Sequence, residues 1–276
     1  EYEGYDIEPK EGRVMLKKIL VLTGLAVSAA LMIASPASAE LKDILEAGKI
    51  KIATPENFPP FGSLGSEGEY EGYDIDVAKM IAEDLGVELE LVPVTSKQRI
   101  PFLETDKADL VIATLGANPE RAKSIWFSHA YAPFFSGAFA KPDVAVSTIA
   151  DFSGKKIAVT SGTLEDLAIT ADAPEDAEII RFGDNAATIA AYVSGQADVI
   201  VTGNMVALGI SNDNPDFNLE NKFIIANSPS FIGVKTGNID LLQWVNVFVL
   251  HKKLNGKLGE LSEKWLKTPL PPLPAL

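Results

Sequence analysis

The sequence predicts an α/β protein built from two units of similar design, and three observations carry that prediction. Short apolar runs alternate with helical patterns. The alternation restarts near residue 134. The composition, 47% hydrophobic and 22% charged, is that of a chain with packed cores and not of a disordered one. In the first unit, residues 49–53 (KIKIA) read as a strand. Residues 75–85 put Ile75, Val77, Ala78, Ile81, Ala82 and Leu85 on one helical face, stopped by Gly86. Residues 87–94 form a second strand. A short helix starts at 99–103, with Pro101 tolerated because it lies near the N-terminus. Residues 110–113 form a third strand, and such alternation implies a largely parallel sheet.

The second unit repeats the scheme: strand 156–160, helix 163–171, strand 178–182, helix 185–194 and strand 199–201. The units span 40–133 and 134–228. Residues 230–266 hold one strand (231–234) and two amphipathic helices, too little for a third domain. They are expected to return and complete the first lobe, which is then 40–133 plus 229–276, with 134–228 as the second lobe. The tail 268–276 carries four prolines and is expected to be an extended strap.

Charge and composition exclude several classes. The 276 residues include no cysteine, so there is no disulfide scaffold, thiolate metal site or lipid-modified N-terminal cysteine. Lys and Arg number 24 against 38 Asp and Glu, a net charge of −14. That argues against nucleic acid, which demands a basic face to release counterions. With His129 and His251 alone, a histidine metal site is hard to build, so no metal and no cofactor is expected.

The N-terminal region reads as a targeting segment. Met15 is followed by Lys17 and Lys18, an apolar run over 19–34, and the small-residue site Ala37-Ser38-Ala39. The run is short of the roughly 20 residues of a stable membrane span, so residues 15–39 are expected to be a cleavable signal peptide, with Glu40 as the mature start. The segment EYEGYDI occurs at 1–7 and again at 69–75 without further similarity. Residues 1–14 are expected to be an artefact or mis-start.

Four segments in register resemble the periplasmic solute-binding proteins of polar amino acid ABC transporters. GYDIDVA at 72–78 resembles their G-[FY]-D-[IV]-D-[IV]-A segment. VTSKQRIP at 94–101 resembles the T-S-x-x-R-I-P segment of the glutamate/aspartate branch. TLGANPER at 114–121 resembles the ligand loop, and Ser161-Gly162-Thr163 the second-lobe S-G-T loop. The resemblance implies a type II periplasmic-binding fold, two lobes joined by crossings near 132–135 and 227–230, and a ligand in the cleft between them. Lobes of this kind close by hinge motion. It further implies capture of a polar or acidic amino acid, or a related carboxylate, delivery to a membrane permease, periplasmic location, no enzymatic activity and a monomer.

The resemblance also implies roles for individual residues. Arg121 matches the arginine that holds the ligand α-carboxylate, a task suited to a planar guanidinium that stays charged when desolvated. Thr114 and the backbone around Gly116 supply further donors. Arg99 matches the arginine that pairs with a side-chain carboxylate, assisted by Ser96. Two arginines at one pocket repel unless an anion separates them, which favours a dicarboxylate. Ser161 and Thr163 sit at a strand-to-helix turn, where backbone N–H groups attract a carboxylate; ordinary N-capping explains the same residues. Phe58 matches an aromatic over the ligand's stem, whereas Phe61, Tyr73 and Trp126 are expected to be structural. Asp74 and Asp76, two apart at a helix start, fit a cap and dipole role better than acid–base chemistry.

One departure bears on the ligand. In the family's A-D-x-x-x-x-D-N segment an aspartate pairs with the ligand ammonium; here Gly203 stands in its place, followed by the matching Asn204. Either another carboxylate substitutes, Glu56 being nearest by segment, or the ligand has no amine. The alternative function is a cyclohexadienyl or arogenate dehydratase on the same scaffold, with Glu165 or Glu56 as acid. A third, a sensor module inside a longer chain, is disfavoured because no membrane segment follows the last helix.

Overall fold

The computed structural model describes residues 41–274, and the signal-peptide and 1–14 readings lie outside them. Two five-stranded mixed sheets organise the chain. The first has the order β5-β1-β6-β13-β7, built from Lys49–Pro55 (β1), Glu88–Val94 (β5), Leu110–Leu115 (β6), Ile125–Ala132 (β7) and Ser230–Lys235 (β13). The second has the order β10-β9-β11-β8-β12, from Phe135–Ala140 (β8), Lys156–Thr160 (β9), Glu178–Phe182 (β10), Val199–Gly203 (β11) and Glu220–Asn227 (β12). A small antiparallel sheet of Asn57–Phe58 (β2), Gly62–Leu64 (β3) and Tyr70–Glu71 (β4) lies between β1 and the first long helix.

The expected parallel strands are present, β1 beside β5 and β6, and β9 beside β10 and β11. The sheets are nevertheless mixed and not largely parallel. β13 runs antiparallel to both β6 and β7, and β8 runs antiparallel to β11 and β12. The chain passes from the first sheet to the second between Ala132 and Phe135, and returns between Asn227 and Ser230. The strand after each passage starts at the junction and runs away from it, opposite to the strands that point their C-termini there.

Buried apolar residues explain why the elements form where they do. β6 is buried along its whole length, as a central strand covered on both faces must be. The helix Tyr73–Leu85 (α2) buries Ile75, Val77, Ala78, Ile81 and Ala82 on one side, and Gly86 ends it with φ 68°. Helix Ile239–Leu254 (α7) departs from the amphipathic expectation. It buries Leu241, Val245, Phe248 and Val249, yet leaves Ile239, Val247, Leu250 and Leu254 exposed, so apolar residues occupy both faces. Residues 268–274 contain no helix or strand, and the Thr268 carbonyl accepts a hydrogen bond from Ser262 Oγ at 2.7 Å. No helix among the described residues is long and apolar enough to cross a membrane.

The carboxyl-terminal ends of β1, β6, β9 and β11 converge on the junction. Loops following parallel strands form clefts of this kind at the switch point of open α/β sheets.

Candidate functional site

The cleft is assembled from loops that local sequence makes specific. After β5, Thr95 opens a 3₁₀ turn over Ser96–Gln98, and the Gln98 side chain accepts the Thr95 backbone N–H at 2.9 Å. That turn delivers Ser96 and then Arg99, the first residue of the short helix Arg99–Glu104 (α3), to the cleft wall. Thr114 lies near the end of β6, and after that strand Asn118 Oδ1 accepts the Arg121 backbone N–H at 2.8 Å and fixes the loop that carries Gly116 and Arg121. After β9, Thr163 caps Leu164–Asp172 (α4): its hydroxyl accepts the Asp166 N–H at 3.2 Å and donates to Thr160 O at 3.0 Å.

Thr114 is held under strain. Its φ is 47°, unfavourable for a β-branched residue. Its backbone N–H donates to Asp74 Oδ2 at 2.8 Å, and Tyr131 Oη donates to Asp74 Oδ1 at 2.6 Å. Asp74 is fully buried at the start of α2. Burial pushes its carboxyl up to about 7, against the opposing hydrogen bond from Tyr131 and the charge of Arg99. The GYD triplet at 72–74 is thereby explained. A Cβ on Gly72 (φ 137°) would lie 2.3 Å from Phe61 O; Tyr73 fills the core; and Asp74 clamps the cleft loop. Asp76 instead accepts from Lys264 Nζ and Trp265 Nε1, fastening the C-terminal region to α2.

The two arginines dominate the cleft's electrostatics. Arg99 is 6% exposed and Arg121 8%. Burial first, and then the neighbouring positive charge of Arg99, lower the Arg121 guanidinium to about 10, and burial lowers that of Arg99; a guanidinium stays charged at neutral pH. Arg121 Nη1 donates to Gly116 O at 2.8 Å and its Nη2 donates across the cleft to Gly162 O at 3.0 Å. Among the described residues, Arg181 is the arginine in direct ion pairing, with Asp166. Arg99 Nε is buried without a hydrogen-bond partner, and so are Ser96 Oγ, Thr114 Oγ1 and Ser228 Oγ. All four belong to residues that line this one cleft. Buried polar atoms are ordinarily satisfied, so four together mark a surface arranged to bind something polar.

The lobes are in contact. The Arg121 bond to Gly162 spans them, and Gly162 (φ 81°) lies so close to Lys97 that a Cβ would be 2.7 Å from its Cγ. Gly116 abuts Leu164 and Ser228, whose atoms a Cβ would meet at 2.4 and 2.5 Å. The space left is about 20 Å³. One ordered water needs roughly 10–15 Å³ by this measure, so a larger solute enters only when the lobes part.

Of the ten residues singled out from sequence, the cleft brings together seven: Phe58, Ser96, Arg99, Thr114, Gly116, Arg121 and Thr163. Ser161 is buried behind the turn, its N–H bonded to Phe182 O. Gly203 is covered by Phe134, whose ring atoms a Cβ would meet at 2.5 Å. Asn204 faces a separate recess beside Pro229 and the C-terminal prolines. Phe58 stacks on the buried Phe61 at 5.5 Å, and both contact Phe134. The sequence reading missed Phe134, Ser136, Leu164, Asn185 and Ser228 in the lining, and named Glu165 only as one of two candidate acids for the dehydratase alternative. Phe134 and Ser228 lie within the two crossings, which was the available signal.

Comparison with known proteins agrees with this geometry. The sequence profile of the bacterial extracellular solute-binding proteins, family 3, matches residues 50–268. The ABC transporter glutamine-binding protein GlnH of Bacillus subtilis (strain 168) is 33% identical over 206 residues, covering 73% of this chain and 75% of that one. Among solved structures, the P235GK mutant of ArgBP from T. maritima superposes with a TM-score of 0.76 at 29% identity, covering 83% of this chain and 99% of that chain. An ancestral amino acid-binding protein, AncCDT-1, described as a precursor of cyclohexadienyl dehydratase, does so with 0.75 at 32% identity, covering 82% and 98%. With the two-lobed type II periplasmic-binding architecture and the matched span together, the chain belongs to the bacterial extracellular solute-binding proteins, family 3.

Proposed function

We propose that this chain is the solute-binding component of an ABC importer, that it captures an α-amino acid or closely related carboxylate between its lobes, and that it hands the closed complex to a membrane permease. The observation that carries the reading is the clustering of Arg99 Nε, Ser96 Oγ, Thr114 Oγ1 and Ser228 Oγ, unpartnered and buried, around two charged guanidiniums. Arg121 is the α-carboxylate anchor; its fork joins both lobes, so ligand and lobe contacts are made by one group. Arg99 supplies the second positive charge and sets the preference for a polar or acidic side chain. Thr114, Ser96 and Gly116 line the first-lobe wall and Thr163 the second, while Phe58 covers the ligand's apolar stem. The names of the relatives, glutamine-binding and arginine-binding, support an amino acid ligand without choosing one. The protein works as a monomer in the periplasm or outside the cell membrane.

A thermal-shift screen with the twenty standard amino acids and small di- and keto-acids, followed by calorimetry, tests the reading. At least one solute binds with micromolar or better affinity, about −8 kcal/mol. Arg121→Lys weakens it roughly tenfold to a hundredfold, since a lysine lacks the planar fork. Unchanged affinity in that variant refutes the anchor role. The dehydratase alternative rests on a carboxyl in the cleft, Glu165, and predicts loss of prephenate or arogenate on incubation; a binder leaves both intact.

A further inference from the structure

We propose that Glu165 anchors the ligand's ammonium group, and that this makes the cleft selective for amine-bearing acids over their amine-free counterparts. The inference rests on the ligand reading above and deepens it.

The family's usual ammonium partner is missing at Gly203, and the geometry closes that route. A side chain there would run into the Phe134 ring at 2.5 Å, so the space is filled by an aromatic. Glu56 and Asp184 line an adjoining recess that shares Ser96, Arg99 and Asn185 with the cleft but does not include Arg121, the group assigned to the α-carboxylate. Among the described residues that line the cleft, Glu165 is the sole carboxylate.

Its placement suits the task. Glu165 lies in the first turn of α4, 7% exposed, on the second-lobe wall. Its charge acts on both Arg99 and Arg121, yet neither arginine pairs with it directly, since direct pairing among the described residues' arginines is confined to Arg181. A gap therefore separates the carboxylate from the two guanidiniums. An α-amino acid with its carboxylate on Arg121 presents an ammonium on the adjacent atom, and Glu165 is the negative group available to receive it. Burial raises the Glu165 carboxyl, and its own backbone N–H, the charge of Arg99, the Thr163 hydroxyl and the charge of Arg121 counter that rise. A cation arriving beside it favours the ionised form further.

Charge balance points the same way. The charged residues of the cleft lining, Arg99, Arg121 and Glu165, sum to one positive charge, with Asp74 buried behind Arg99 offsetting part of it, so the lining favours a ligand with no more than one net negative charge. An amine-free dicarboxylate would set a carboxylate against Glu165 with no cation between them, and like charges in a dry site repel strongly.

The test compares the wild-type chain and Glu165→Gln by calorimetry against L-glutamate, L-aspartate, the best solute of the amino acid screen, 2-oxoglutarate and succinate. The expected wild-type result is at least a hundredfold preference for an amine-bearing acid over its amine-free counterpart. In Glu165→Gln, amine-bearing affinity falls at least thirtyfold, while affinity for amine-free acids changes by less than threefold or rises. Equal binding of glutamate and 2-oxoglutarate to the wild type overturns the anchor and leaves the solute-binding reading standing. So does a Glu165→Gln protein that keeps wild-type affinity for the amine-bearing acid. Absence of binding by any solute overturns both. A thermal melt confirms that the variant folds; should it not, the wild-type preference decides alone.

Discussion

Thr114 concentrates the cost of building this cleft. A β-branched residue at φ 47° is kept there by the hydrogen bond of its backbone N–H to Asp74, and it lines the cleft. Asp74 carries a pH signature. Its folded-state carboxyl titrates at about 7, above the roughly 3.9 of an unfolded aspartate. Between those values the folded chain holds a proton that the unfolded chain has released. Its contribution to stability is therefore greatest below about pH 4, declines as pH rises toward 7 and is level above that. Asp74→Asn is expected to flatten the fall in melting temperature between pH 5 and 8, measured by calorimetry across that range. An unchanged slope would mean that another group sets it. Glu165 shifts in the same direction for the same first reason, burial, so some slope persists in the variant.

At the scale of elements, glycines decide which backbones meet. Gly72 caps α2 with φ 137° directly against the Phe61 carbonyl. Neither that φ nor that approach tolerates a side chain, because the obstacle is backbone and cannot rotate away. Gly72→Ala is expected to cost about 3 kcal/mol and to lower the melting point by about 6–12 °C. A loss under about 1 kcal/mol by denaturant titration would show that the helix start can shift. Gly203, at the end of β11, lies against the Phe134 ring. Gly203→Asp, which restores the family's usual residue, drives a carboxylate against Phe134 and toward Phe58. It is expected to destabilise by about 2 kcal/mol and bring no gain in amine affinity, because a buried charge without a partner is unfavourable. Tighter amino acid binding in that variant would show that Phe134 yields.

For the whole molecule, the proposed function turns on the two passages between sheets. On the proposed function a ligand would join lobes that already share the Arg121 to Gly162 bond, so it would act by lowering the population of the open state. A ligand at a hundred times its Kd stabilises by about 2.7 kcal/mol, which for a chain of this size raises the melting point by about 5–10 °C. Small-angle scattering should show a smaller radius of gyration with ligand than without; equal radii would mean that the free protein is already closed.

Local pattern made most of the scaffold legible. The strands at 156–160 and 178–182 coincide with the observed ones, and the helix ending at Gly86 does too, because period and capping are properties of neighbouring residues. β7, β8 and β12 were not legible. Five of the six β8 residues are buried, so it shows no alternation, and β12 is an edge strand interrupted by register shifts. The site divides along the same line. Arg99, Arg121, Ser96 and Thr114 could be named because they lie in short motifs. Phe134 over Gly203, Ser228 beside Gly116 and Glu165 in the same lining as the arginines depend on segments tens of residues apart meeting across the cleft. By itself the sequence determined two α/β units and the positive groups of their cleft, since periodicity and motif spacing are local. Only the tertiary structure decided the mixed strand directions and which carboxylate lines the cleft with the guanidiniums, since both depend on how the chain crosses between the lobes and packs them together.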